Sequence, residues 1–145
     1  MNFITKYIQD GHEFRGSPKI PTQERVNNFS GGYPKGPGWP KKTIHTNLEF
    51  AKSCGLTACA ASGAMPEGYL TQLMIELFGI DWLRHGKMTL KFIATVKPDD
   101  TVLPKAIVRD RQIEDRNIRF IMEVWCENQD GKKVVVGTAS GLLQQ

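Results

Sequence analysis

Met65-Pro66-Glu67-Gly68-Tyr69-Leu70-Thr71-Gln72-Leu73-Met74-Ile75-Glu76-Leu77-Phe78-Gly79 decides the fold. Met65, Tyr69, Leu73 and Leu77 recur at every fourth position, and Leu70, Met74 and Phe78 fill the adjoining row. An apolar stripe of that width buries a helix on most sides, which predicts a central helix over Met65–Phe78. Pro66 fits the first turn, where its missing N–H costs nothing, and Gly79 ends the helix.

Beyond Gly86 the period changes from four to two. Met88, Leu90, Phe92, Ala94 and Val96 alternate with Thr89, Lys91, Ile93 and Thr95, a strand that runs into Lys97-Pro98-Asp99-Asp100-Thr101. A second strand is expected over Val102–Val108, and Pro104 assigns it to an edge or a bulge. Ile118, Phe120, Met122 and Val124 mark a third. Asn128-Gln129-Asp130-Gly131 reads as a hairpin turn before Val134-Val135-Val136 opens the last. A long apolar helix followed by long strands, with almost no later helix, predicts an α+β fold. Five or six mostly antiparallel strands wrap around the central helix, and Met65, Leu70, Leu73, Met74, Leu77, Phe92 and Val124 are expected to be buried. A chain of 145 residues fits one domain, taken as 1–145.

The leading residues are organised differently. Gly31-Gly32-Tyr33-Pro34-Lys35-Gly36-Pro37-Gly38-Trp39-Pro40 lacks the donors and the stiffness for regular structure. A loop of that length, at about 30–42, is usually functional or part of an interface. Before it, Thr22 is expected to cap a short helix. After it, Thr46 or Asn47 caps another over Leu48–Ser53, with Gly55 as its stop.

Composition narrows the function classes. Hydrophobic content of 40% and charge of 23% suit a soluble globular protein. No run approaches the ~18–20 apolar residues of a membrane span, and Met1–Lys6 lacks the features of a signal peptide. The net charge of +4 is spread over Lys41-Lys42, Arg109, Arg111, Arg116, Arg119 and Lys132-Lys133 without interleaved aromatics, so no nucleic-acid partner is expected. Such charges are either a solvated surface or a positive rim attracting a phosphate-bearing ligand. Cys54, Cys59 and Cys126 are odd in number and match no zinc pattern, which points to a reduced, cytoplasmic chain. Asp99-Asp100 reads as a solvated corner; no metal and no cofactor are expected.

Taken in order, these phrases resemble a family. Ile44-His45-Thr46-Asn47, Ala51-Lys52-Ser53-Cys54-Gly55-Leu56, the helix start Ser62-Gly63-Ala64-Met65, then Phe78-Gly79, Trp82-Leu83, Gly86 and Lys91–Thr101 are similar to the MaoC-like branch of the hotdog superfamily. That branch includes (R)-specific enoyl-CoA hydratases and acyl dehydratases. The resemblance covers roughly residues 40 to 142. It implies a single hotdog domain, subunits joined edge to edge as a homodimer or higher oligomer, and an acyl-CoA thioester lying along the seam.

It also assigns roles. His45 matches a histidine that, with an aspartate five residues earlier, holds the water that adds to the double bond. Here Pro40 stands in the aspartate's place, and no acid occurs between Glu24 and Glu49. Gly63 matches the backbone N–H donor to the thioester oxygen. Glu67, on the first helical turn, is either a charge favoured by the helix dipole or a replacement for the missing acid. Ser62, Met65 and Tyr69 are placed to line the slot. Trp39 and Tyr33 either cover an apolar acyl group or anchor the loop. Cys59 reads as buried and inert, and His12 and His85 as surface residues. The implied activity is hydration of an enoyl-CoA or its reverse. The alternatives are a non-catalytic acyl-CoA-binding subunit beside a second hotdog chain, and an acyl-CoA thioesterase.

Overall fold

A computed structural model of the chain describes residues 3–145. In chain order the elements are β1 (Glu13–Arg15), α1 (Gln23–Ser30), α2 (Leu48–Ser53), α3 (Ala64–Phe78), α4 (Ile80–His85), β2 (Lys87–Phe92), β3 (Leu103–Glu114), β4 (Asn117–Glu127) and β5 (Lys133–Leu143). The strands form one antiparallel sheet of order β1-β3-β4-β5-β2.

Helix α3 is the hub. Leu70, Leu73, Met74 and Leu77 are at most 1% exposed and pack on Phe120, Met122 and Val124 of β4. Each such side chain contributes about 1.5–3 kcal/mol of burial, so this face fixes where the sheet curls. Met65 and Val124 are buried as expected. The opposite side of the helix is not covered: Glu67, Gly68, Gln72, Ile75 and Glu76 form an exposed strip, with Gln72 donating to Glu76 across one turn at 2.8 Å.

Small residues let the helix approach β5. Val135, Gly137, Ala139 and Gly141 pair with Cys126, Val124, Met122 and Phe120, all on the core face of β4. A Cβ on Gly141 would lie 2.5 Å from the Phe78 ring. That ring occupies the space a side chain would take, and it also packs edge-on against Phe120 with centroids 6.2 Å apart.

The local caps follow the sequence. Thr22 accepts from Arg25 N, Asn47 accepts from Phe50 N, and Gly55, at φ 88°, follows α2. Gly131, at φ 73°, completes the β4–β5 turn with its N–H donating to Asn128 O.

Four features differ from the sequence reading. The strand after Gly86 stops at Phe92 instead of reaching Val96, because Ile93 N and Ala94 N both donate to the single carbonyl of Val134, which breaks the ladder. Phe92 is consequently 50% exposed, lying at the sheet's end where α3 no longer covers it. Pro104 lies inside β3, paired on both sides, not at a break. Its carbonyl accepts from Gly16 N, so its nitrogen faces the end of β1 and takes no donor from the β4 ladder. The bulge of β3 lies instead between Val108 and Asp110. Asp100 is buried, not a solvated corner: it accepts from Lys97 N at 2.8 Å and from Gln129 Nε2 at 2.9 Å. Strand β1 and helix α4 were also not foreseen; three and six residues are too short to establish a period.

The outer face of the sheet carries ion pairs. Glu127, Glu123 and Glu114 are held below the ordinary value of 4.5, chiefly by hydrogen bonds from Lys105, Arg109 and Arg119 respectively. A carboxylate depressed in the folded state adds stability that is complete above its unfolded pKa and lost as pH falls through the folded one. The melting temperature should therefore hold from about pH 8 to pH 5 and decline below about pH 4.5, modestly because the Glu123 and Glu114 side chains are themselves 38% and 42% exposed. A melting temperature unchanged down to pH 3 would show that the pairs add nothing.

Candidate functional site

Two backbone segments meet under α3. The turn Thr43–Thr46 is knitted internally: Thr43 N donates to Thr46 Oγ1 at 3.1 Å, His45 N to Thr43 Oγ1 at 3.1 Å, and Thr46 Oγ1 to Lys41 O at 2.5 Å. The small-residue stretch before α3 pairs with it, Ala60 N donating to Ile44 O at 3.1 Å. Ala61 N then donates to Val96 O at 2.8 Å, which ties the helix start to the irregular stretch that follows β2.

Between these segments and the end of β2 opens a cavity of about 530 Å³. One wall is His45 with Ile44, Ala60 and Ala61; Gly63 and Pro66 form the helix end. The facing wall is the irregular stretch Phe92–Val96 with Val135. The lining is mostly apolar, and no carboxylate belongs to it among the described residues.

His45 is half-buried, and its Nδ1 lies 2.6 Å from Ala60 O. A carbonyl can only accept, so a neutral ring must carry its proton on Nδ1. That leaves the Nε2 lone pair without a protein partner among the described residues. At the helix end, Gly63 has φ −56°, which any residue adopts, so its glycine character answers to space. A Cβ there would lie 3.0 Å from the Phe92 ring. The N–H of Gly63 meets no acceptor among the described residues.

Of the residues singled out in the sequence, the cavity brings together His45 and Gly63. Ser62, Met65, Glu67 and Tyr69 are not among its lining. Met65 is buried, Tyr69 packs against the core, and Glu67 lies on the exposed strip of α3, turned from the sheet. Ser62 Oγ accepts weakly from Ala64 N at 3.4 Å.

Tyr33 and Trp39 line a separate hollow of about 270 Å³ within the Gly/Pro loop, where Tyr33 is 85% exposed. Lys41 N donates to Gly31 O at 2.8 Å, so this loop closes on itself. Pro40 packs in the loop's neck against Gly31 and does not reach the cavity.

Two of the thiols are poor nucleophiles by environment: burial raises Cys59, and burial pushes Cys126 up to about 12. Among the described residues no group of His, Cys, Asp and Glu is arranged to hold a metal. Among the described residues no helix is long and apolar enough to cross a membrane.

Sequence comparison alone is silent: no family model matches the chain, and no curated protein matches it. Solved structures do match over nearly its whole length. A monoamine oxidase regulatory protein from Archaeoglobus fulgidus has a TM-score of 0.73 at 21% identity, over 100% of this chain and 97% of its own. The MaoC-like dehydratase from Rhodospirillum rubrum has a TM-score of 0.75 at 17% identity, over 95% and 94%. The (R)-hydratase from A. caviae has a TM-score of 0.71 at 16% identity, over 97% and 100%. The matches also include chains of the HadBC complex and the ChsH1–ChsH2 complex from Mycobacterium tuberculosis. At these identities the likeness establishes architecture, and the resemblance read from the sequence holds at that level: the chain has the hotdog fold in the form seen in MaoC-like dehydratases and (R)-hydratases.

Proposed function

We propose that the chain is a hydratase or dehydratase of acyl-CoA thioesters. The observation that carries this reading is the pairing of a free imidazole Nε2 and an unpartnered helix-end N–H on one apolar cavity. The Gly63 N–H donates to the thioester carbonyl oxygen, where negative charge grows as water attacks Cβ. His45 Nε2 takes a proton from that water while the oxygen bonds to Cβ. The proton returns to Cα, so water is added across the double bond and no other reactant is consumed. In reverse the same groups remove water from a 3-hydroxyacyl thioester. Fold similarity supports this choice only as analogy, and the cavity's own groups supply the chemical argument.

The outer strand β2 is the natural seam for a second subunit, since an uncovered edge presents unpaired backbone groups beside the cavity wall. One observation favours a second reading. No carboxylate lines the cavity among the described residues, and the position of the expected aspartate is Pro40. A hotdog chain that contributes binding to a two-component hydratase, with the acid supplied by its partner, fits that composition.

The experiment is an assay of the pure protein against short, medium and aromatic enoyl-CoAs, following loss of the enoyl absorbance. A disulfide dye present in parallel reports free thiol. Loss of enoyl absorbance without thiol release is the expected result. Thiol release instead would make the chain a thioesterase. Inactivity across the panel alone, with turnover restored by a second hotdog chain, would establish the two-component reading.

A further inference from the structure

His45 sits on a loop, and a loop-borne base needs something to hold it. The side chain that does so comes from the first helix, 22 residues earlier. Gln23 Nε2 donates to His45 O at 2.9 Å and to Asn27 Oδ1, one helical turn further on, also at 2.9 Å. Because His45 O can only accept, the amide nitrogen must face it, and the bond to Asn27 uses the second proton of the same nitrogen. Val26, fully buried between them on α1, anchors that helix to the body of the protein. The His45 peptide is thus held from one side by Gln23. From the other side the ring is held by Ala60 O, and the preceding residue by Ala60 N.

We propose that Gln23 is a positioning residue for His45: it fixes the peptide that carries the imidazole, so that Nδ1 stays on Ala60 O and Nε2 stays free for proton transfer. This rests on the reading of His45 as the proton-transfer group. Loosening the His45 peptide lets the ring leave Ala60 O. In water an imidazole distributes its proton over both nitrogens, so part of the population would then hold the proton on Nε2 and be useless as a base.

The test reads the ring directly. Long-range ¹H–¹⁵N spectra of the ¹⁵N-labelled protein, above the pH at which imidazole is charged, distinguish a protonated Nδ1 from a protonated Nε2. Wild type should show His45 with its proton on Nδ1. Gln23→Met keeps the volume and removes both donors. Its two His45 nitrogen shifts should move toward each other, with kcat falling about tenfold and KM staying within about twofold. Asn27→Ala, which removes only the group that orients the amide, should shift the ring signals in the same direction by less.

A wild-type His45 pattern retained in Gln23→Met would overturn the proposal, as would a changed pattern with unchanged kcat. Should Gln23→Met fail to fold by circular dichroism, the same comparison on Asn27→Ala decides, and an unmoved ring there overturns it. If wild type has no turnover on any thioester, the proposed function fails, while the imidazole spectra still decide whether Gln23 sets the tautomer.

Discussion

His45→Ala should lower turnover by 10²-fold or more, the usual weight of a proton-transfer group, with little change in melting temperature. The ring is half-buried, and its hydrogen bond to Ala60 O can be replaced by water after truncation. Glu67→Gln is the instructive companion. The carboxylate lies on the solvent strip of α3, outside the cavity lining, so its replacement should leave turnover within about threefold. What it loses is a favourable charge at a helix N-terminus, worth about 0.3–1 kcal/mol. A loss in Glu67→Gln as large as in His45→Ala, with the double variant no worse than either, would show the two acting as one unit. Glu67 would then have to reach the thioester in the assembled protein. Full turnover in His45→Ala would move the chemistry to other residues altogether.

The legible part of this chain is the part that repeats. Leu70, Leu73, Met74 and Leu77 announce α3 because a helix must bury a continuous stripe, and the alternation around Phe120, Met122 and Val124 announces β4 for the same reason. Phe92 shows the limit of that argument. Alternation assigns it to the core face, and the register with Val135 confirms the face, yet α3 does not extend over that end of the sheet. The residue becomes a cavity wall resting on Gly63 instead of core. Period reports which face a residue takes, and only the tertiary arrangement decides whether anything covers it.

The site divides along the same line. His45 and Gly63 were legible through local motifs, but their convergence depends on the Ile44–Ala60 backbone pairing, which no spacing reveals. Glu67 was read from its place on a first turn, and helical phase then turned it toward solvent. Gln23 left one faint signal, a Gln/Asn pair four residues apart on a short polar helix. Nothing in the sequence connects that pair to a histidine on another loop.

Gly137→Ala should destabilise the protein by about 3 kcal/mol, the upper part of the range for inserting a methyl into filled space. Gly137 sits in β5 opposite Leu90 of β2, and its own φ is unremarkable, so strain in the backbone is not the issue. The obstacle is that a Cβ there would fall 2.0 Å from Thr89 O and 3.0 Å from Leu90 Cα. Both are backbone atoms of β2, and neither can rotate away as a side chain would. The strand itself must separate from β5, and its register over Lys87–Phe92 goes with it.

Function should suffer beyond what stability alone explains, because β2 ends in Phe92, the ring that faces Gly63 across the cavity. Gly68→Ala supplies the control. It is the same chemical change on the exposed strip of α3, with nothing within 4 Å of the added carbon, and a helix gains about 0.5–1 kcal/mol from it. Urea titrations of the two variants should therefore shift in opposite directions. Equal midpoints for wild type and Gly137→Ala would mean that β2 does not lie as close to β5 as this curl of the sheet requires.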